Sequence, residues 1–381
     1  MTKNKSQLNF IDVFSGAGGL SCGLELAGMK CLLGIDMDKN AIETFKANHH
    51  FANTFCGSVK DLSEKKLKEL INHQPVHAVV GGPPCQGFST VGIGDPNDLR
   101  NSLFREFIRL VKITNPYYVI IENVTGLIAK KNEKTLKAIF KLFAKMGYSL
   151  DVQVMSSEFY NVPERRRRTI IIGSRLNSTI TFPKPDTENI LTVGHALKNL
   201  KAPNGKTYNH DIELAAIKSK LDRDRINLIP EGKGIRYEAD EVAYLPKKLQ
   251  MNVDWTNIRE NRFRQTKYQR LDRKKPSPTI MTHRHNYFHP VENRYLTQRE
   301  AAALQSFPND FIFQGTLSAQ WKQIGNAVPP KLGLALGKAI IGMYAEKSKT
   351  KTKEASKTDS KNSEDIMATI RKRAFVYAKE L

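Results

Sequence analysis

The chain has 381 residues, of which 40% are hydrophobic and 26% charged, and this composition excludes fibrous, collagen-like and wholly disordered proteins. Its 60 Lys and Arg residues outnumber its 38 Asp and Glu residues, so the formal net charge is +22. A surface this basic favours a polyanionic partner, either nucleic acid or an anionic membrane surface.

The four cysteines, at positions 22, 31, 56 and 85, form no CxxC pair. We therefore expect neither a disulfide scaffold nor a cysteine-based metal site. The beginning of the chain, MTKNKSQLNF, has no apolar signal region, and no uncharged apolar run approaches the roughly 18 residues of a membrane span. These features predict a soluble cytoplasmic protein that does not act at a membrane.

Strand-like apolar segments alternate with amphipathic segments through residue 175. The predicted strands are 8–14, 29–36, 77–82, 117–123, 148–155 and 169–174, and the predicted helices are 18–27, a segment ending at 47, 103–113 and 134–145. This alternation predicts an α/β fold with a doubly wound, mostly parallel sheet. Ligands bind such sheets at the carboxyl ends of the strands.

The alternation fades after residue 176 and returns near Thr297, before a predicted closing helix at 332–344. Residues 195–300 hold 22 Lys and Arg against 13 Asp and Glu, with aromatic residues interleaved. A solvated surface is one interpretation, and contact with nucleic acid is the one we favour. The predicted domains are a catalytic and cofactor-binding domain at 1–185, a smaller irregular domain at 186–300, a return to the first domain at 301–345, and a basic disordered tail at 346–381.

The glycine-rich segment FSGAGGL (14–20) follows the first predicted strand. Its glycines permit a tight turn that a ligand can approach closely, but the segment lacks the GxGxxG spacing of dinucleotide-binding turns. Asp36 ends the second predicted strand, where an acid commonly binds ribose hydroxyls, although a helix N-cap is an equal alternative. Together these features indicate a cofactor that contains a nucleoside.

Three further segments carry chemical groups at strand ends. Cys85 lies in the loop GGPPCQGFS (81–89), where a Pro-Pro-Cys turn presents a thiol, although a buried structural cysteine is the usual alternative. Glu122 directly follows an apolar strand in IIENV, so its carboxylate is either functional or an anchor for a loop. In VPERRRRTIII (162–172), strand alternation places Arg166 and Arg168 on one side and Arg165 and Arg167 on the other.

These motifs, in this order, resemble those of the bacterial restriction–modification type of DNA (cytosine-5)-methyltransferases. FSGAGG, PPCQ, ENV and the ERRRR run are followed by PSPTI (276–280) and QIGNAVPP (323–330), so the resemblance covers nearly all of residues 8–344. It implies a Rossmann-like methyltransferase fold and a target recognition domain at about 190–270. It also implies transfer of a methyl group from S-adenosylmethionine to carbon 5 of a flipped-out cytosine in double-stranded DNA.

The resemblance also implies roles for individual residues. The cofactor pocket would be formed by Phe14, Gly16, Gly18, Gly19, Asp36, Leu103, Asn326 and Val328, with Asp36 on the ribose and Leu103 beside the methyl donor. Cys85 would be the nucleophile, Glu122 would protonate ring nitrogen 3, and Arg168 would hold the carbonyl oxygen of the cytosine. Arg166 would steady the catalytic loop or a phosphate. No metal is implied, and the family mostly acts as monomers, sometimes beside a restriction endonuclease of the same specificity.

Three positions depart from the family pattern. Ser58 stands where many members have an acid, Met37 where an aromatic residue often stacks on the adenine, and Glu164 where Gln is usual. Glu164 is expected to pair with one of the arginines, which would make Arg165 or Arg167 structural.

The alternative functions are those of a tRNA cytosine methyltransferase, a catalytically silent nucleic-acid-binding module and a nicotinamide dehydrogenase. The absence of a Cys-Phe-Thr motif disfavours the tRNA methyltransferase. The intact PPCQ and ENV motifs disfavour the silent binding module. The missing third glycine of GxGxxG disfavours the dehydrogenase.

Overall fold

The structure is a computed structural model that describes residues 7–83, 99–176 and 179–349. The strands are β1 (Asn9–Val13), β2 (Lys30–Asp36), β3 (Asn53–Cys56), β4 (Ala78–Gly81), β5 (Tyr118–Val124), β6 (Ser149–Ser156), β7 (Glu164–Arg165), β8 (Arg167–Ser174), β9 (Ile235–Tyr237), β10 (Arg262–Lys267), β11 (Gln269–Arg270), β12 (Ser277–Pro278) and β13 (Tyr287–Phe288). The helices are α1 (Gly19–Leu26), α2 (Lys39–Asn48), α3 (Glu64–Leu70), α4 (Leu99–Thr114), α5 (Glu133–Ala144), α6 (Val193–Leu197), α7 (Lys220–Leu228), α8 (Glu238–Tyr244), α9 (Gln298–Leu304), α10 (Leu317–Asn326) and α11 (Pro330–Lys349).

The chain divides into two compact units. The first consists of Met1–Ser156, Arg167–Pro185 and Val328–Leu381, and the second of Ser157–Arg166 and Asp186–Ala327. The long segment of the second unit runs from Asp186 past residue 300 to Ala327. The reason is local packing, because α9 contacts both α6 and α10, and the buried Arg299 donates to the carbonyl of Tyr208.

The first unit contains a sheet with the strand order β3-β2-β1-β4-β5-β8-β6. Only β8 in this order runs antiparallel to its neighbours β5 and β6, so the predicted mostly parallel, Rossmann-like sheet is confirmed. The order reverses between β1 and β4, which places the ligand crevice of such a sheet outside the carboxyl ends of these two strands. Strand β3 and helix α3 were not predicted from the sequence, and β3 is a strand of four residues with no buried side chain.

The core of the first unit is formed by apolar residues of the strands and of α4 and α5, among them Ile11, Val79, Phe107, Ile121 and Ile139. Helix α11 packs against α1, and a Cβ atom on Gly23 would lie 2.1 Å from the carbonyl oxygen of Pro330. The two helix backbones therefore touch directly. Within the described residues, no helix combines the length and apolar character required to cross a bilayer.

The second unit is built from short elements around its own apolar cluster. The buried members of this cluster are Ile217, Ile226, Ile229, Ile235, Leu245, Trp255 and Phe288. Small two-stranded pairings, β9 with β10, β11 with β13 and β7 with β12, replace an extended sheet. This organisation matches the smaller irregular domain that the sequence predicts.

Candidate active site

The glycine-rich segment forms the turn between β1 and α1. Phe14 and Gly16 have positive φ angles of 65° and 54°, and Gly18, with φ 91°, is the N-cap of α1. A Cβ atom on Gly18 would lie 2.1 Å from Nε2 of the buried His49. Only glycine fits there, because the imidazole packs directly against its α-carbon.

Asp36, at the end of β2, is tied to this turn. Its Oδ2 accepts a hydrogen bond from the Gly16 amide at 2.9 Å, and its Oδ1 accepts one from the Asp38 amide at 2.9 Å. The N-cap of α2 is Asp38, whose side chain accepts from the amides of Asn40 and Ala41. The alternative role of Asp36 as a helix N-cap is therefore wrong, and its carboxylate lies beside the glycine turn instead.

A further carboxylate near the glycine turn is fully buried. Asp12, in β1, is 2% exposed and accepts a hydrogen bond of 2.6 Å from the Ser21 hydroxyl of α1. Burial raises the pKa of Asp12 to about 7, against the opposing effect of the Ser21 hydrogen bond. Asp12 and His49 were not predicted as site residues, because an acid within an apolar strand and a histidine after a helix belong to no motif of their own.

The carboxyl end of β5 brings together two of the predicted catalytic side chains. Nε of Arg168, from β8, lies 2.8 Å from Oε1 of Glu122, and the two side chains are 17% and 14% exposed. The antiparallel register, which pairs Glu122 with Ile170 and Val124 with Arg168, places them side by side. The pair can hold adjacent donor and acceptor atoms of a planar ligand in a partly desolvated place.

The backbone at Gly82 and Pro83, where the PPCQ motif begins, contacts β5. A Cβ atom on Gly82 would lie 3.0 Å from Oε2 of Glu122, and the Asn123 amide donates to the Pro83 carbonyl at 2.9 Å. The ENV motif therefore contacts the chain at Gly82 and Pro83, shortly before Cys85 in the sequence. Cys85 itself lies outside the described residues, so its predicted role stays a prediction.

The four arginines of the ERRRR run alternate as predicted, with Arg165 and Arg167 exposed and Arg166 and Arg168 buried or half-buried. Arg166, in the second unit, is 2% exposed and donates to the carbonyls of Gly325 at 2.9 Å and Ile280 at 3.4 Å. Its guanidinium therefore joins the PSPTI and QIGNAVPP motifs within that unit.

Glu164 pairs with one of the four arginines, as expected, and its partner is Arg166. Its carboxylate accepts from the Ile280 amide and lies 4.0 Å from the Arg166 guanidinium, whereas Arg165 pairs with Glu158 at 3.3 Å. The strands β7 and β12 pair at this point, which brings the ERRRR and PSPTI motifs together. The sequence indicated both motifs but not their contact.

The remaining predicted cofactor residues have the following places in the fold. Leu103 is half-buried on α4 and packs against the core of the first unit. Asn326 is exposed at the end of α10 in the second unit, and Val328 is buried in the first unit. Met37 is 76% exposed after Asp36, and Ser58 caps a short 3-10 helix at Val59–Asp61. Their contacts with a cofactor stay predictions.

The comparisons with known proteins agree on one protein family. The model of the family C-5 cytosine-specific DNA methylase matches residues 8–342. The chain is 36% identical over 352 residues to Type II methyltransferase M1.HphI of Haemophilus parahaemolyticus, a match that covers 88% of this chain and 87% of that protein. It is 32% identical over 377 residues to Type II methyltransferase M.DdeI of Desulfomicrobium norvegicum, covering 87% and 88%.

Solved structures of other proteins have a fold similar to that of this chain. A prophage-encoded protein of E. coli, described as a DNA modification methyltransferase, matches with a TM-score of 0.68 and 26% identity over 89% of this chain and 100% of that chain. The Entamoeba histolytica methyltransferase EhMeth matches with a TM-score of 0.61 and 18% identity over 89% and 99%, which supports the fold alone.

Proposed function

The chain belongs to the C-5 cytosine-specific DNA methylase family and is a DNA (cytosine-5-)-methyltransferase, and on this premise we propose that it methylates a flipped-out cytosine in double-stranded DNA through a covalent Cys85 adduct. The observation that carries this proposal is the pairing of Arg168 with Glu122 at 2.8 Å. Ring nitrogen 3 and the carbonyl oxygen of cytosine are neighbouring atoms, so two adjacent side chains of this kind suit that edge of the base.

S-adenosylmethionine is the cofactor we propose, and the residues around the glycine turn suit it. At Gly16 nothing lies within 4 Å of the position that a Cβ atom would take, which leaves the backbone open to a ligand there. Each oxygen of Asp36 accepts one backbone hydrogen bond. A carboxylate offers about four acceptor positions, so Asp36 retains capacity for ribose hydroxyls. When bound, this cofactor supplies an electrophilic methyl group on a sulfonium ion.

The chemistry follows from the poor nucleophilicity of carbon 5 in an aromatic, electron-poor ring. The Cys85 thiolate adds to carbon 6, and protonation of nitrogen 3 by Glu122 keeps negative charge from accumulating on the ring. Arg168 holds the carbonyl oxygen and, through its ion pair, the orientation of Glu122. After carbon 5 accepts the methyl group, loss of its proton and departure of the Cys85 thiolate restore the aromatic ring.

The second unit supplies the proposed target recognition surface. Residues 195–300 carry 22 Lys and Arg against 13 Asp and Glu, and a base inside a duplex must leave the stack before it reaches a catalytic pocket. Contacts between these cations and phosphates would offset the unstacking cost, which is about a few kcal/mol. Arg166, buried among backbone carbonyls, would steady the loops of this unit rather than contact a phosphate. We propose a monomeric enzyme, with a companion restriction endonuclease of the same specificity.

The test is transfer of a labelled methyl group from S-adenosylmethionine to unmethylated duplex DNA, with tRNA in a parallel reaction, followed by mapping of 5-methylcytosine at base resolution. We expect label in DNA at one recurring sequence. Label in tRNA alone would replace the proposed substrate with RNA. Binding of a nicotinamide cofactor without binding of S-adenosylmethionine would reject the proposed reaction.

A further inference from the structure

The pair of strands β9 and β10 in the second unit contains a bulge. The antiparallel register pairs Arg262 with Tyr237 and Lys267 with Ile235. Between these paired positions, β9 has only Arg236, whereas β10 has the four residues 263–266. The extra residues must leave the plane of the ribbon, and bulges of this kind redirect side chains away from the sheet.

Contacts within the second unit hold both ends of the bulge in place. The Phe263 ring lies 4.7 Å from the ring of the buried Trp255, whose Nε1 donates to Glu241 at 2.9 Å. At the other end, a Cβ atom on Gly234 would lie 2.6 Å from Cγ2 of Thr266, so the strands approach closely there. Phe263 and Thr266 are half-buried, which leaves Arg264 and Gln265 as the exposed residues between two anchors.

The charged neighbours of Arg264 are already engaged. Arg262 pairs with Glu260, and the Lys267 ammonium group lies 5.8 Å from the centre of the Phe263 ring. No residue within 7–83, 99–176 and 179–349 forms an ion pair with Arg264. The guanidinium of Arg264 is therefore an exposed cation of this ribbon that a partner can reach.

The chemistry of the exposed pair matches the edges of DNA bases. An Arg guanidinium can donate two hydrogen bonds to O6 and N7 of guanine, and a Gln amide can bind N6 and N7 of adenine. The major groove of DNA accepts a two-stranded ribbon. We propose that Arg264 and Gln265 contact base edges in the major groove and help to determine which sequence is methylated. This inference rests on the proposed function.

The test compares methylation by the wild-type enzyme and by R264A, R264K and Q265A on DNA in which each position of the mapped site is varied singly. R264A and Q265A should each lower the preference for one base at one position by about 5- to 150-fold, the range typical of a lost two-hydrogen-bond contact. R264K should resemble R264A in base preference, since Lys keeps the charge but lacks the planar fork.

Arg259 is the matched control, because its side chain is 94% exposed in the same region of the second unit. R259A should lower methylation of all sequences to the same degree. Uniform losses with R264A and Q265A, as with R259A, would overturn the assignment while the proposed function stands. Absence of methyl transfer to any DNA by the wild-type enzyme would instead overturn the proposed function and this assignment together.

Discussion

Arg168 and Glu122 form an ion pair of 2.8 Å although their side chains come from antiparallel strands and are separated by 46 positions in the chain. The pair lies at the end of β5, next to the Gly82 backbone that leads to the Pro-Pro-Cys loop. Each partner fixes the orientation of the other, so we expect substitution of either residue to lower the methylation activity.

Glu122→Gln should lower kcat by about 10²- to 10⁴-fold, because the amide keeps the shape of the carboxyl group but cannot transfer a proton. Single-turnover methylation with saturating DNA and cofactor measures this effect. The matched control is Glu106→Gln, which removes a partly buried partner of Arg109 at 2.6 Å elsewhere in the first unit. Equal rates for both variants would contradict the assigned role of Glu122.

Cys85→Ser should abolish methylation and leave S-adenosylmethionine binding intact, because a hydroxyl is a far weaker nucleophile than a thiolate. Calorimetric titration of the cofactor and a methyl-transfer assay separate the two effects. Cys56→Ser removes a free, exposed thiol and should retain full activity. Turnover by the Cys85 variant at the wild-type rate would remove Cys85 as the nucleophile.

Gly18→Ala should weaken cofactor binding more than Gly28→Ala. Both glycines have φ above 90°, so both substitutions carry the left-handed cost of about 1–2 kcal/mol. Only at Gly18 would the new methyl group meet other side chains, those of His49 and Phe45, whereas nothing lies within 4 Å at Gly28. Cofactor dissociation constants and thermal unfolding of both variants measure the difference, and equal losses would show that these two side chains are not the cause.

The residues of the site differ in how far the sequence could predict them. The strand-end positions of Asp36 and Glu122 and the alternation of Arg166 and Arg168 follow from local patterns, and the structure confirms these placements. Contacts such as that of Arg166 with Gly325 join residues far apart in the chain. No local periodicity encodes such a contact, because it depends on how distant segments pack.

Binding of the protein to duplex DNA should weaken steeply between 50 and 200 mM salt, since each phosphate contact releases counterions from the duplex. The slope of log affinity against log salt concentration, measured by fluorescence anisotropy, reports the number of contacts. Lys248→Ala, an exposed change in the basic segment, should make the slope shallower by about one if this residue contacts a phosphate. A flat salt response of the wild-type protein would contradict the phosphate-contact account.

The burial of Asp12 makes the free energy of unfolding of the first unit depend on pH. Because burial raises the pKa of Asp12 from 3.8 to about 7, the folded protein keeps a proton between these values that the unfolded chain has lost. The free energy of unfolding therefore falls as pH rises through this window, by up to about 1.4 kcal/mol per pH unit, and levels off above it. Asp12→Asn should remove this contribution, so its stability relative to wild type should increase from pH 5 to pH 7 and stay constant above.

Denaturant unfolding at pH 5, 6, 7 and 8 measures this difference, and Ser21→Ala extends the test. The Ser21 hydroxyl donates to the Asp12 carboxylate and lowers its pKa, so its removal should carry the pH-dependent loss of stability to higher pH. Parallel pH profiles for wild type, Asp12→Asn and Ser21→Ala would mean that Asp12 does not keep its proton in the folded protein. Its carboxylate would then be ionised at neutral pH, and the Ser21 hydrogen bond would not be what stabilises it.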